Sequence, residues 1–205
     1  MRLAALVLAL CLMSGQSAMA ATIEEALALY GDKNYAEARG IAEGLAAKND
    51  VRAMLLLGTL YQRGLGVETS AATAREWFGK AAEAGDAEAQ LAYAMLLLDE
   101  AAGEMDPAAA AEWLAKSAGN GNAKAQFNLA LIYAGQYGAT PDWPKAVEWF
   151  AKAATSGSVD AQYNLGLLYL DGKGVERNPV AAGEWLSKAA LKGMPEAALE
   201  YGVLV

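Results

Sequence analysis

A Glu-Trp pair returns every 36 residues in this chain, and that single regularity constrains the fold more than anything else in it. The tryptophans are Trp77, Trp113, Trp149 and Trp185, preceded by Glu76, Glu112, Glu148 and Glu184. Lys80, Lys116, Lys152 and Lys188 follow at the same interval, as do Gly85, Gly121, Gly157 and Gly193. Ala53, Ala89, Ala125, Ala161 and Ala197 keep the register without a slip. A period of this length marks a repeat array, in which one unit cannot bury its apolar face alone and stacks on its neighbours.

Each unit reads as two helices. Ala53, Leu57, Leu60 and Tyr61 form an i, i+4, i+7, i+8 stripe, the spacing of one helical face. Asp50, Asp86, Asn122 and Ser158 stand where a side chain can accept a bond from the free first-turn N–H groups. A second helix starts after Ser70, Asp106, Asp142 or Asn178, again good caps, and Pro107 and Pro179 occupy a first helical position that needs no N–H. Its inner face carries Ala74, Trp77, Phe78 and Ala81, and it ends at the repeated glycine, which suits a left-handed helix end. Gly58, Ala81 and Ala94 permit close helix approach, and tryptophan fills the wider gaps.

The predicted fold is all-α, a right-handed α-solenoid of stacked antiparallel hairpins with units at 50–85, 86–121, 122–157 and 158–193. Residues 22–48 read as a shorter tetratricopeptide-like hairpin without the tryptophan, as an atypical terminal unit should. Residues 194–205 supply a capping first helix that begins at Pro195.

One unit also resembles a known family. Ala161-Gln162-Tyr163-Asn164-Leu165-Gly166-Leu167-Leu168-Tyr169, Gly172-Lys173-Gly174-Val175, Ala182, Glu184-Trp185, Lys188-Ala189-Ala190 and Gly193 resemble the Sel-like repeat, a longer-period relative of the tetratricopeptide repeat. The resemblance covers about residues 50–205. The second and third units depart from it, with Glu100-Ala101-Ala102-Gly103 and Gln136-Tyr137-Gly138-Ala139 in place of the glycine loop. What the resemblance implies is an adaptor that holds partner proteins in secretion, signalling or cell-envelope assembly. A cysteine-rich bacterial branch of the family is linked with β-lactam binding or hydrolysis, and the paired cysteines of that branch are missing here.

The N-terminus reads as an address. Arg2, the short apolar run Leu3–Met13 and the small residues of Ala18-Met19-Ala20 match a secretory signal cleaved after Ala20, which implies release into the periplasm or the medium. The run is shorter than the roughly 20 residues that span a bilayer, so no integral membrane span is expected. Cys11 reads as part of the apolar run, because Leu10 stands where a lipoprotein signal needs a small residue.

Beyond residue 20 the sequence has no cysteine and no histidine. Disulfides, Cys/His metal sites and His- or Cys-based nucleophilic catalysis are thereby excluded, and no cofactor or metal is expected. Loss of Arg2 leaves 15 basic against 24 acidic residues, a net charge of −9. An acidic chain without a basic run does not suit phosphate backbones, so no nucleic-acid partner is expected.

Five candidate features remain. The Glu76–Lys80 spacing and its three equivalents predict solvated i, i+4 ion pairs opposite the apolar face. Asn128 and Asn164 read as backbone-bonding residues, and Gly64-Leu65-Gly66 and Gly172-Lys173-Gly174 as turns rather than phosphate loops. The backs of the first helices form an apolar strip, Leu55, Leu91, Met95, Phe127, Leu131, Tyr163 and Leu167, extended by Leu98. On the concave side such a strip would make a groove for a partner segment, unless stacking buries it in the core. Tyr137 and Trp143 in the irregular third loop are expected as exposed contact aromatics. A non-enzymatic, monomeric binding scaffold is the expected function, and a cell-wall or β-lactam-acting enzyme the alternative; Ser70, followed at the third position by Thr73, lacks the lysine that the latter chemistry would use.

Overall fold

The computed structural model describes residues 21–204. The expected signal segment, residues 1–20, lies outside the described residues.

Among the described residues the chain forms eleven α-helices and no strand, in the all-α solenoid arrangement that the repeat predicts. A first hairpin comprises α1 (Ile23–Gly31) and α2 (Tyr35–Ala46). Four more follow: α3 (Val51–Arg63) with α4 (Ala71–Glu83), α5 (Ala87–Leu97) with α6 (Pro107–Gly119), α7 (Ala123–Tyr133) with α8 (Trp143–Thr155), and α9 (Val159–Asp171) with α10 (Pro179–Leu191). The last helix is α11 (Pro195–Leu204). Consecutive helices pack on one another along the whole array, as in a solenoid held by nearest neighbours.

Local chemistry sets the helix limits. Asp50, Asp86, Asn122 and Ser158 accept from the N–H of Ala53, Ala89, Ala125 and Ala161 at 2.8–3.2 Å. Ser70, Asp106, Asp142 and Asn178 accept from Thr73, Ala109, Lys145 and Ala181 in the same way. Gly85, Gly121, Gly157 and Gly193 follow the second helices with φ of +83° to +95°, a conformation that side chains with a Cβ resist.

All four loops close alike although they differ in sequence. The backbone N–H of Ser70, Asp106, Asp142 and Asn178 donates to the carbonyl of Tyr61, Leu97, Tyr133 and Tyr169, at 2.7–3.0 Å. Units one and four reach this bond through left-handed Gly64 and Gly172. Units two and three use 3-10 turns at Glu100–Ala102 and Gln136–Gly138 instead, and their first helices are 11 rather than 13 residues long. The glycine loops serve packing: a Cβ at Gly174 would collide with the backbone of Trp143 in the preceding unit, and one at Gly66 would meet Tyr35.

The core is a chain of apolar clusters along the seam. Ala53, Ala89, Ala125, Ala161 and Ala197 are completely buried, as are Leu57, Leu129 and Leu165 to within a percent. Trp113 packs against both the first and second clusters, and Trp149 against both the second and third, so the tryptophans bridge successive units. A large side chain of each second helix, Phe78, Leu114, Phe150 or Leu186, is buried in its own hairpin. Two of these sit in glycine sockets, where a Cβ at Gly58 would come within 2.6 Å of the Phe78 ring and one at Gly166 within 2.7 Å of Leu186 Cγ.

Candidate functional site

The apolar strip on the first helices does not form one continuous channel. Leu91 and Met95 of α5 and Phe127 of α7 come together, and with Ala123, Lys124, Asn128 and the Ser156–Asp160 turn they line a hollow of 510 Å³. Leu55 belongs to a separate, smaller hollow of 260 Å³ with Leu27, Tyr30, Arg52, Leu56 and Thr59. Leu131 and Tyr163 are half-buried against the third and fifth core clusters, and Leu167 is half-buried.

Two members of the strip are more deeply placed than expected. Leu91 keeps only 9% of its surface and forms the floor of the larger hollow rather than its wall. Leu98 is buried in the core, because α5 ends at Leu97 and the chain turns inward there.

Tyr137 and Trp143 are not projecting loop aromatics. Tyr137 has φ +57° and folds its ring against the second core cluster. Trp143 is the first residue of α8, half-buried on the third cluster, with Lys173 Nζ 5.4 Å from its ring centroid and the Gly174 backbone packed on it. The fourth unit's loop packs closely on the Trp143 backbone, and both aromatics are half-buried rather than exposed as expected.

The lysines of the Glu-Trp motif also find a different partner. Lys80, Lys116, Lys152 and Lys188 lie 4.4, 3.6, 3.9 and 4.0 Å from the ring centroids of Trp77, Trp113, Trp149 and Trp185. Among the described residues, Lys152 with Glu148 at 2.7 Å is the only one of the four expected ion pairs that forms. A lysine three positions after a half-buried tryptophan can lay its stem along the ring and keep its ammonium wet, where an exposed ion pair would add little.

Asn128 and Asn164 donate from Nδ2 to the carbonyls of Lys124 and Asp160 at 2.8 and 2.7 Å, a local backbone bond. A repeated residue that the sequence reading left without a role is glutamine. Gln90, Gln126 and Gln162 are buried, and each Nε2 donates to a carbonyl eight residues back, on Ala82, Ala118 and Ala154, at 3.3, 3.3 and 3.0 Å. The 36-residue spacing of a polar residue beside a buried alanine was the available signal. Gln126 Oε1 also accepts from Ser156 Oγ at 3.4 Å, which ties the turn bordering the hollow to the core.

The rim of the larger hollow offers Lys124 on one side and Asp160 on the other, both exposed, around an apolar floor. Ser158 is committed to capping α9 and Ser156 to Gln126. Such a surface can accept an apolar side chain and bond to the polar backbone around it; it presents no nucleophile activated by a base. Elsewhere, the Lys145 ammonium and backbone N–H hold the Asp142 carboxyl below its ordinary range, and Asp142 raises Lys145 in turn. Glu24 is lowered by its backbone hydrogen bond and by Arg52, 2.7 Å away at the edge of the smaller hollow. Among the described residues no helix is long and apolar enough to cross a membrane, and no group of three or more potential metal ligands comes together.

The family model for the Sel1 repeat matches residues 51–86, 87–122, 123–158 and 159–194. The fold is similar to that of a Sel1 repeat protein from Oxalobacter formigenes, 30% identical over 88% of this chain and 74% of that one, with a TM-score of 0.81. A protective antigen present in uropathogenic Escherichia coli strains, displaying an SLR fold, is 33% identical over 89% of this chain but only 40% of its own, with a TM-score of 0.79. A sel1 repeat protein from Klebsiella pneumoniae is 29% identical over 93% of this chain and 96% of its own, with a TM-score of 0.57. No curated protein matches.

Proposed function

Because the chain belongs to the Sel1 repeat family, whose members are in general protein-interaction scaffolds, we propose that it is a non-enzymatic adaptor. Its partner is a protein whose apolar segment seats in the hollow between Met95, Phe127 and the Ser156–Asp160 turn. The observation that carries this reading is that the hollow combines an apolar floor of Leu91, Met95 and Phe127 with a polar rim of Lys124, Asn128 and Asp160. The signal-like residues 1–20 support a place in the periplasm or medium after cleavage near Ala20, and hence a partner in the cell envelope or outside the cell. A role in signalling or cell-wall assembly extends the same reading.

Site-specific photo-crosslinking from Met95, compared with Glu112 on the second helix of its hairpin, tests the adaptor role. One discrete partner captured from Met95 but not from Glu112, and lost with Lys124→Glu, supports it. Equal capture from both positions, or none from Met95, overturns it. The alternative, an enzyme acting on the cell wall or on β-lactams, lacks support in the committed hydroxyls of Ser156 and Ser158. Turnover of a chromogenic β-lactam or of peptidoglycan would favour it instead.

A further inference from the structure

Between the solvent-facing side of α4 and the second unit's loop lies a hollow of 600 Å³, and four of its residues depart from the repeat together. Arg75 stands where the other units have Ala111, Val147 and Gly183. Gly79 stands for Ala115, Ala151 and Ser187, and Glu83 for Gly119, Thr155 and Leu191. Tyr93 occupies the register of the buried Leu57, Leu129 and Leu165. In a repeat array the sibling units show what stacking itself needs at each register, so departures that meet at one place ask for another cause.

Each departure shapes the hollow. The Tyr93 ring lies against Gly79, where a Cβ would already touch it at 3.4 Å, and Trp113 meets it edge-on at 5.5 Å. Held this way, Tyr93 stays half-buried and forms an apolar wall. Arg75 is half-buried too, and its Nη1 reaches the loop, 3.8 Å from where a Cβ of Gly103 would stand. Its Nε is shut off from water and bonds to nothing among the described residues, which folded chains normally avoid. Glu76 and Lys80 join Arg75 and Glu83 in the lining. Among the described residues, none of these four charges is ion-paired with another.

We propose that this hollow binds a zwitterionic small molecule, an amino acid or dipeptide, with its carboxylate on Arg75 and its ammonium on Glu76 or Glu83. A guanidinium offers paired N–H donors in a fork that a carboxylate fits, and Lys80 adds a second positive charge to the same lining. The two glutamates disfavour a ligand that is only anionic, as the two cations disfavour one that is only cationic. Tyr93 and Ala102 leave an apolar surface for a small side chain. The hollow shares no residue with the one at Met95, so this site stands or falls separately from the adaptor reading.

The dipeptide alanyl-alanine is the probe. Titrated into the protein and followed by amide NMR, it is expected to shift Tyr93, Ala102 and Gly103 saturably, with a Kd of about 1 mM. Acetylating its amine or amidating its carboxylate should each weaken binding about tenfold. Arg75→Ala recreates Ala111 of the second unit, so the variant keeps the fold and should lose the shifts. Arg75→Lys, which keeps the charge without the fork, should bind about tenfold more weakly than wild type. The double variant Glu76→Gln, Glu83→Gln should bind the free and the acetylated dipeptide alike. Absence of shifts at about 10 mM dipeptide, or shifts unchanged in Arg75→Ala, overturns the proposal. So does inorganic phosphate binding as tightly as the dipeptide, because the hollow would then take anions alone.

Discussion

Phe78 closes over Gly58 so tightly that a methyl group on that glycine would stand 2.6 Å from the ring. Gly58→Ala therefore forces the ring to move, a strain that outweighs the helix-propensity gain of alanine and leaves a net loss of about 1–2 kcal/mol. Pairing it with Phe78→Leu recreates the Ala94 and Leu114 combination of the second unit. Urea denaturation should find the double variant more stable than the sum of the two single changes; strict additivity would show that the two side chains do not share a socket.

Lys116 lies 3.6 Å from the centroid of Trp113, and no ion pair forms between it and Glu112. Lys116→Met is expected to lower stability by about 0.5–1 kcal/mol through loss of the ring contact, whereas Glu112→Gln should change it by less than about 0.5 kcal/mol. Melts of both variants at low and high salt separate the cases. An equal loss in both, abolished by salt, would restore the ion pair as the source.

The glutamine clips carry a third expectation. Gln162 is buried with its Nε2 on the Ala154 carbonyl, while the corresponding residue of the first unit is the buried Met54. Gln162→Met removes one hydrogen bond but keeps the volume, and should cost about 0.5–1.5 kcal/mol. Gln162→Glu places a carboxylate against a buried carbonyl and should cost about 3 kcal/mol or more at neutral pH. Chemical denaturation of the two variants, repeated at acid pH where the glutamate is neutral, checks the order.

Much of this architecture could be read before any coordinates. The caps at Asp50, Asp86, Asn122 and Ser158 depend on neighbours within one turn, so local sequence decides them. The tryptophan seam could be read because its period repeats four times. The third loop could not: the half-buried placement of Trp143 depends on the fourth unit's Lys173 and Gly174 reaching back across the seam, a contact between residues some 30 apart, and that of Tyr137 on a left-handed backbone that its residue type does not signal. The lysines were ambiguous for another reason. Spacing offers each one a glutamate four back and a tryptophan three back, and only the packing chooses between them. The strip was half legible: its apolar character was plain, but its division into separate hollows, one beside Leu55 and one around Met95 and Phe127, rests on how successive units pack.

The pH response of the third unit is set by Asp142 and Lys145. Because the folded state lowers Asp142, its contribution is present above the unfolded carboxylate value and is lost as pH falls through the lower, folded one. Lys145 is raised, so its share is present below the unfolded amine value and is lost as pH rises through the folded one. Asp142→Asn keeps a capping oxygen without the charge. The gap in urea midpoint between wild type and this variant should be widest near neutrality and close below about pH 4. It should also narrow with salt, as both groups are exposed. A gap that does not vary with pH would mean the cap acts without its charge.

Each motif tryptophan stands at a different junction of the array, with an ammonium over its ring. Indole emission answers to nearby charge and to water, so versions of the protein retaining one indole apiece would report on one junction apiece. Whether the array comes apart all at once or peels from an end then becomes something that light alone can follow, with no foreign label attached.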